Sequence, residues 1–131
     1  MMRNARFWGI LLVILHILIQ VPHGIAHNML HIEMSRWQSL YILIVINLLP
    51  IVAAIMVWRR KRSGFLLLLL SMAASFVFGV FYHFIASGPD NVNSLGIHPW
   101  SNTFLWSAIF LALVEAAGAF IGLTGARSTE Q

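Results

Sequence analysis

The chain has 131 residues, of which 60% are hydrophobic and 9% charged, with eight Lys or Arg against four Asp or Glu and a formal charge of +4. Soluble domains carry roughly a quarter charged residues, so a mean hydropathy of +0.84 excludes an ordinary soluble fold and points to an all-α, polytopic membrane protein. With no cysteine in the chain, disulfides, thiolate metal sites and thiol catalysis are excluded as well.

A helix needs about 20 apolar residues to cross roughly 30 Å of hydrocarbon. On that measure four spans are expected, over about 7–26, 39–58, 65–86 and 103–123, forming one four-helix domain that takes in residues 1–131. The loops would be 27–38, 59–64 and 87–102. The first segment is the shortest. Its apolar run, FWGILLVILHILIQV, stops at Pro22, so it spans only if the helix continues to Ala26 or beyond.

The same segment has a second reading. MMRNAR resembles the basic start of a signal peptide, and Gly24-Ile25-Ala26 places small residues where cleavage would fall. Three helices would then be left, with His27 at the new N-terminus. A terminal histidine that binds copper through its amine and ring resembles the histidine brace of copper monooxygenases and some periplasmic copper carriers, and the resemblance implies copper at His27 with His31 completing the set.

After this segment comes VPHGIAHNMLHIEM, which holds three of the six histidines. His23, His27 and His31 are spaced i, i+4, i+8, and His16 lies seven residues before His23. In one continuous helix the four share a face roughly 80° wide at 100° per residue. Imidazole is the commonest metal-binding side chain. Met29 and Met34 add soft sulfur, which suits copper, while His and Glu alone would satisfy zinc.

The second span contains Asn47 and Pro50, the marks of a kinked helix facing inward. The basic run Arg59, Arg60, Lys61, Arg62 follows. Short loops rich in Lys and Arg stay on the cytoplasmic side, which sets the topology as N-in, C-in. Seven basic residues (Arg3, Arg6, these four and Arg127) then lie inside and one, Arg36, outside. The positive charge is thus a topology signal, and no nucleic-acid partner is expected.

In the third span Ser71, Ser75 and Gly79 repeat every four residues, as do Ala108, Ala112 and Ala116 in the fourth, followed by Gly118 and Gly122. Small residues let helices approach closely in lipid, so these two spans are expected to pair. His83 lies near the outer end of the third span. The loop SGPDN is a turn by composition that would hold Asp90 and His98 over the mouth of the bundle.

All six histidines therefore fall in the outer half of a multi-pass protein of the cell membrane. The metal-ligand candidates are His23, His27, His31, His83, His98 and Met29, with copper ranked above zinc and zinc above iron or haem. His16 and His83, at similar depth on different helices, are also candidates for the axial ligands of a b-type haem. Glu115 is the one acidic residue inside a span. A carboxyl there must be neutral, paired or facing a polar cavity.

Three functional classes remain open on these residues. One is metal binding for transport or redox chemistry. The second is a non-metal subunit or small transporter with a polar path through Glu115, Asn47 and His16. The third is a metal- or haem-dependent membrane enzyme. The partners expected are the lipid bilayer and either further copies of the chain or the other subunits of a larger membrane complex.

Overall fold

The computed structural model describes residues 2–128; Met1 and the polar end 129–131, both included in the single-domain reading, lie outside them. Among the described residues the chain is all-helical, with four helices long and apolar enough to cross a membrane: Asn4–Met29, Arg36–Trp58, Arg62–Ile85 and Ser101–Ser128.

The first is α1 (Met2–Met29), and Pro22 lies inside it. Proline removes one helical hydrogen bond, and the helix runs on through the gap to carry His23 and His27. It stops in a Schellman motif: His31 takes a left-handed backbone (φ 52), its N–H bonds to the Asn28 carbonyl, and Ile32 N–H reaches back to the His27 carbonyl.

The second span begins at Ser35, whose hydroxyl and backbone form a capping box with Gln38. It consists of α2 (Arg36–Tyr41), a π-helical stretch Ile42–Leu48 and α3 (Leu49–Trp58). Pro50 has no N–H to give, and the chain upstream widens to i→i+5 bonding, with Leu49 N–H on the Ile44 carbonyl. The Asn47 side chain donates to the Ile42 carbonyl at 2.8 Å, supplying a donor where lipid offers none. A second Schellman motif at Arg60 (φ 58) ends α3, with Lys61 N–H on the Met56 carbonyl.

The third span is α4 (Arg62–Val80) continued by a π-helical turn, Phe81–Ile85. The fourth is α5 (Ser101–Ser128). The spans pack as an up-and-down ring, each against its neighbours in sequence and α5 closing against α1. At one end, where α1 and α4 begin and α3 and α5 finish, Val57, Phe65 and Ala126 form an apolar cluster with Ala5 and Ile10. This is the basic end. Outward positions such as Leu18, Leu43, Leu70, Val77, Leu113 and Phe120 are more than half exposed, an apolar surface on the scale a bilayer covers.

α4 and α5 pack closely, with Ser71, Ser75, Ala108, Gly118 and Gly122 of the expected small residues buried and Ala116 left out. A strict four-residue repeat drifts about 40° per step on a helix of 3.6 residues per turn, so Ala108 is buried but Ala116 is exposed. The packed stripe instead alternates four and three: Leu111, Glu115, Gly118, Gly122, Gly125. A Cβ on Gly122 would lie 2.5 Å from the Leu69 backbone nitrogen, so the two backbones touch there.

Candidate metal centre

At the end opposite the basic loop, three imidazoles converge. His23 and His27 come from successive turns of α1, and His83 from the π-helical turn after α4. The wider turn offsets the drift of the Ser71, Ser75, Gly79 repeat and keeps His83, four residues further on, facing the bundle interior. All three side chains are buried, and one ring nitrogen from each lies within 4.8 Å of the others, a group that could hold a metal ion. Phe104 of α5, fully buried, backs the group, its ring 4.9 Å from His23 and 5.0 Å from both His27 and His83.

The outer partners decide which nitrogens are free. His83 Nδ1 lies 3.1 Å from both the Asp90 carbonyl and a carboxylate oxygen of Asp90. Both only accept, so Nδ1 carries a proton and, in the neutral ring that a metal ligand requires, Nε2 carries the lone pair. His23 Nδ1 is 2.8 Å from Ser107 Oγ, and that hydroxyl lies 2.6 Å from the Thr103 carbonyl. The hydroxyl donates to the carbonyl and accepts from His23, whose Nε2 is then the free acceptor. His23 Nε2 and His83 Nε2 therefore turn lone pairs toward each other at 3.2 Å. Such an arrangement asks for a cation between them. Two imidazole nitrogens about 2.0 Å from one tetrahedral ion are separated by about 3.3 Å.

His27 completes the pattern. Its Nε2 lies 3.1 Å from Asp90 Oδ1, and its Nδ1 is buried without a hydrogen-bond partner. Asp90 is fixed by the turn around it: Asn91 N–H bonds to the Gly88 carbonyl, and the Asn91 side chain donates to the Ala86 carbonyl. Burial alone would raise the Asp90 pKa, but the His27 and His83 rings outweigh it and hold the carboxyl well below the usual carboxylate range.

A cavity of about 130 Å³ extends from this group into the bundle, lined among others by Gln20, Met34, Ser75, Gly79 and Glu115. Drug-sized ligands occupy roughly 300 Å³ or more, so its scale suits an ion with a few waters. At its deep end Glu115, 4% exposed, bonds through Oε1 to His16 Nε2 at 3.0 Å, and His16 is 0% exposed. A Cβ on Gly79 would meet Glu115 Oε2 at 3.8 Å and the His83 ring at 3.9 Å, so the glycine opens the space between the two.

The other sequence candidates lie apart from the group. His31 sits in the left-handed turn past α1 and is exposed, because the chain must leave the helix there. His98 is exposed and accepts from Trp100 N–H through Nδ1. Met29 is 44% exposed; Met34, 37% exposed, is among the residues that line the cavity. Asn47 bonds within its own helix, to the Ile42 carbonyl. His16 and His83, the axial pair considered for haem, have separate partners, Glu115 for one and His23 with Asp90 for the other. Ser107 and Phe104 were not singled out from the sequence; a serine in an apolar span at the depth of His23 is the signal that would have found the first.

No protein-family model, curated protein or solved structure matches the chain.

Proposed function

We propose that the protein is an integral membrane protein that binds a transition-metal ion through His23, His27 and His83, at the outer end of its bundle. The observation that carries this reading is the convergence of three buried imidazoles, with Ser107 against His23 Nδ1 and Asp90 against His83 Nδ1 and His27 Nε2. Second-sphere partners of this kind orient metal-binding histidines and raise their basicity. The Asp90 carboxylate offsets one unit of the ion's charge in a site with little water.

Three neutral imidazoles suit copper or zinc. Copper is preferred because a methionine, Met34, is among the residues that line the same cavity. Three protein ligands leave a coordination position for water or a transferred group, which fits delivery or redox use of the ion better than a closed structural site. On the orientation set by the basic residues, the site faces the periplasm or cell exterior. Because His23 lies in α1 and His16 pairs with Glu115, this reading keeps residues 1–26 in the mature protein.

The test is elemental analysis of protein purified in detergent without chelator or affinity metal, followed by copper and zinc titration. About one ion per chain is expected, lost in His23→Ala and His83→Ala and retained in His31→Ala and His98→Ala. No uptake of either metal, or equal loss on replacing His31, sinks the proposal.

A second reading rests on the His16–Glu115 pair at the deep end of the cavity. In it the cavity is a path for protons or cations, and the histidines are its mouth. Glu115→Gln would then abolish flux into vesicles while leaving metal stoichiometry unchanged.

A further inference from the structure

The cavity beside the three histidines is open on one side. Of the described residues that line it, the exposed ones are Gly24 on α1 and Met34 just ahead of α2. The first two spans are tied together in the half toward the basic end, where Val13 and Ala53 share one apolar cluster and Ala5 and Ile10 pack with Val57 in another. At Gly24 nothing lies within 4 Å of an added Cβ, so the spans part there and the cavity meets the surface between them. Val21, Ile25, Leu40 and Leu43 on the neighbouring turns are exposed, the apolar surface of helices that face lipid. The opening is therefore lateral, toward the outer leaflet.

Gln20 and the imidazoles apart, the polar groups inside are acceptors. Ser75 Oγ spends its proton on the Ser71 carbonyl, 2.8 Å away. Glu115 Oε1 is bonded to His16, and a carboxylate, or a carboxyl whose proton lies in that bond, accepts through Oε2. Gly79 keeps the space between Glu115 Oε2 and the His83 ring open. Ile42, Ile46, Phe78 and Leu111 supply apolar wall.

We infer that this cavity takes the head of a membrane-dissolved phenol. Its hydroxyl donates to Glu115 Oε2 beside Gly79, its ring lies against Phe78 and Ile46, and its alkyl tail stays in the bilayer through the opening between Gly24 and Met34. A volume of about 130 Å³ cannot take a drug-sized molecule whole, but it is close to the roughly 150 Å³ in which a dry apolar cavity takes up benzene. One ring fits. A straight-chain alcohol or amine would bring the donor and leave the width unfilled. A fatty acid would set its carboxylate against Glu115 and Asp90. The inference goes beyond the metal reading and needs no ion in the histidine group.

The full-length protein, stripped of metal and held in detergent, is titrated with 4-decylphenol, and bound ligand is counted by native mass spectrometry. About one molecule per chain is expected. Capping the hydroxyl, in 4-decylanisole, should weaken binding at least about tenfold, the scale of one hydrogen bond to a buried carboxylate. Phenol without the tail, decanol and decylamine should all bind more weakly than 4-decylphenol. Gly79→Leu fills the space beside Glu115 and should abolish binding. Gly24→Phe narrows the opening and should weaken it, and it serves if Gly79→Leu does not fold, since an exposed position with no neighbour accepts a large side chain; circular dichroism checks both. His98→Ala should bind like the wild type. Equal binding of the anisole, of decanol or of decylamine, or unchanged binding in Gly79→Leu and Gly24→Phe, would overturn the inference. Equal binding of tailless phenol would overturn entry from the bilayer. Metal uptake is measured separately, so the failure of either reading is seen apart from the other.

Discussion

Ser107 and His31 show how single residues decide where chemistry can sit. Ser107 touches no ion in the proposed site; it holds His23 in the tautomer with Nε2 free. Replacing it with alanine removes that control, and copper or zinc affinity should fall about 10- to 100-fold, the usual cost of losing such a partner. The fall should appear in a competitive titration against a chelator, with about one ion per chain still bound at saturation. His31 occupies a left-handed position that costs a side-chain-bearing residue roughly 1–2 kcal/mol. His31→Gly should therefore raise stability in detergent by up to about 1 kcal/mol without altering metal stoichiometry. Loss of metal in that variant would return the ladder to the ligand set. The i, i+4, i+8 spacing was legible and correctly placed His23 and His27 on one face. The left-handed turn was not, because it usually carries glycine and here carries the next histidine of the series.

At the scale of the helix, the glycines of α5 matter more than its alanines. A methyl at Gly122 would press on the Leu69 backbone, which cannot rotate away, so Gly122→Ala should destabilise the protein by about 1–3 kcal/mol. Gly24, with nothing within 4 Å of the same added atom, should accept alanine without loss of stability. Thermal unfolding of the two variants side by side in one detergent checks the contrast. The four apolar helices were legible from length and hydropathy alone, because lipid leaves a spanning segment little choice of structure. The two π-helical stretches were not. They depend on how Pro50 and the end of α4 settle against neighbouring helices, and the second of them sets the position of His83. The sequence grouped Glu115, Asn47 and His16 in one polar path, and only the packing of α1 on α5 pairs Glu115 with His16.

For the whole molecule, the proposed ion would join α1, the turn after α4 and, through Ser107, α5. Copper or zinc at 100 times its dissociation constant should raise stability by about 2.7 kcal/mol if the unfolded chain does not bind it. The melting temperature should rise accordingly in wild type and stay level in His83→Ala. Protons compete with the ion for the same imidazole nitrogens, so the stabilisation should be present at pH 7.5 and weaken as the medium is acidified. A metal effect that persists at pH 5, or that survives in His83→Ala, would place the ion elsewhere.

The bond between His16 and Glu115 joins residues 99 positions apart, and that between His23 and Ser107 joins residues 84 apart. During synthesis the first helix therefore enters the membrane with three polar rings; His27 meets Asp90 in the turn before the last helix, whereas His16 and the Nδ1 of His23 wait for that helix to supply Glu115 and Ser107. Until α5 is inserted, His16 has only water, headgroups or a chaperoning protein to satisfy it. The order of translation thus makes the histidine end the last part of the molecule to mature, and a chain truncated before α5 should be recognised by membrane quality control through this exposed surface.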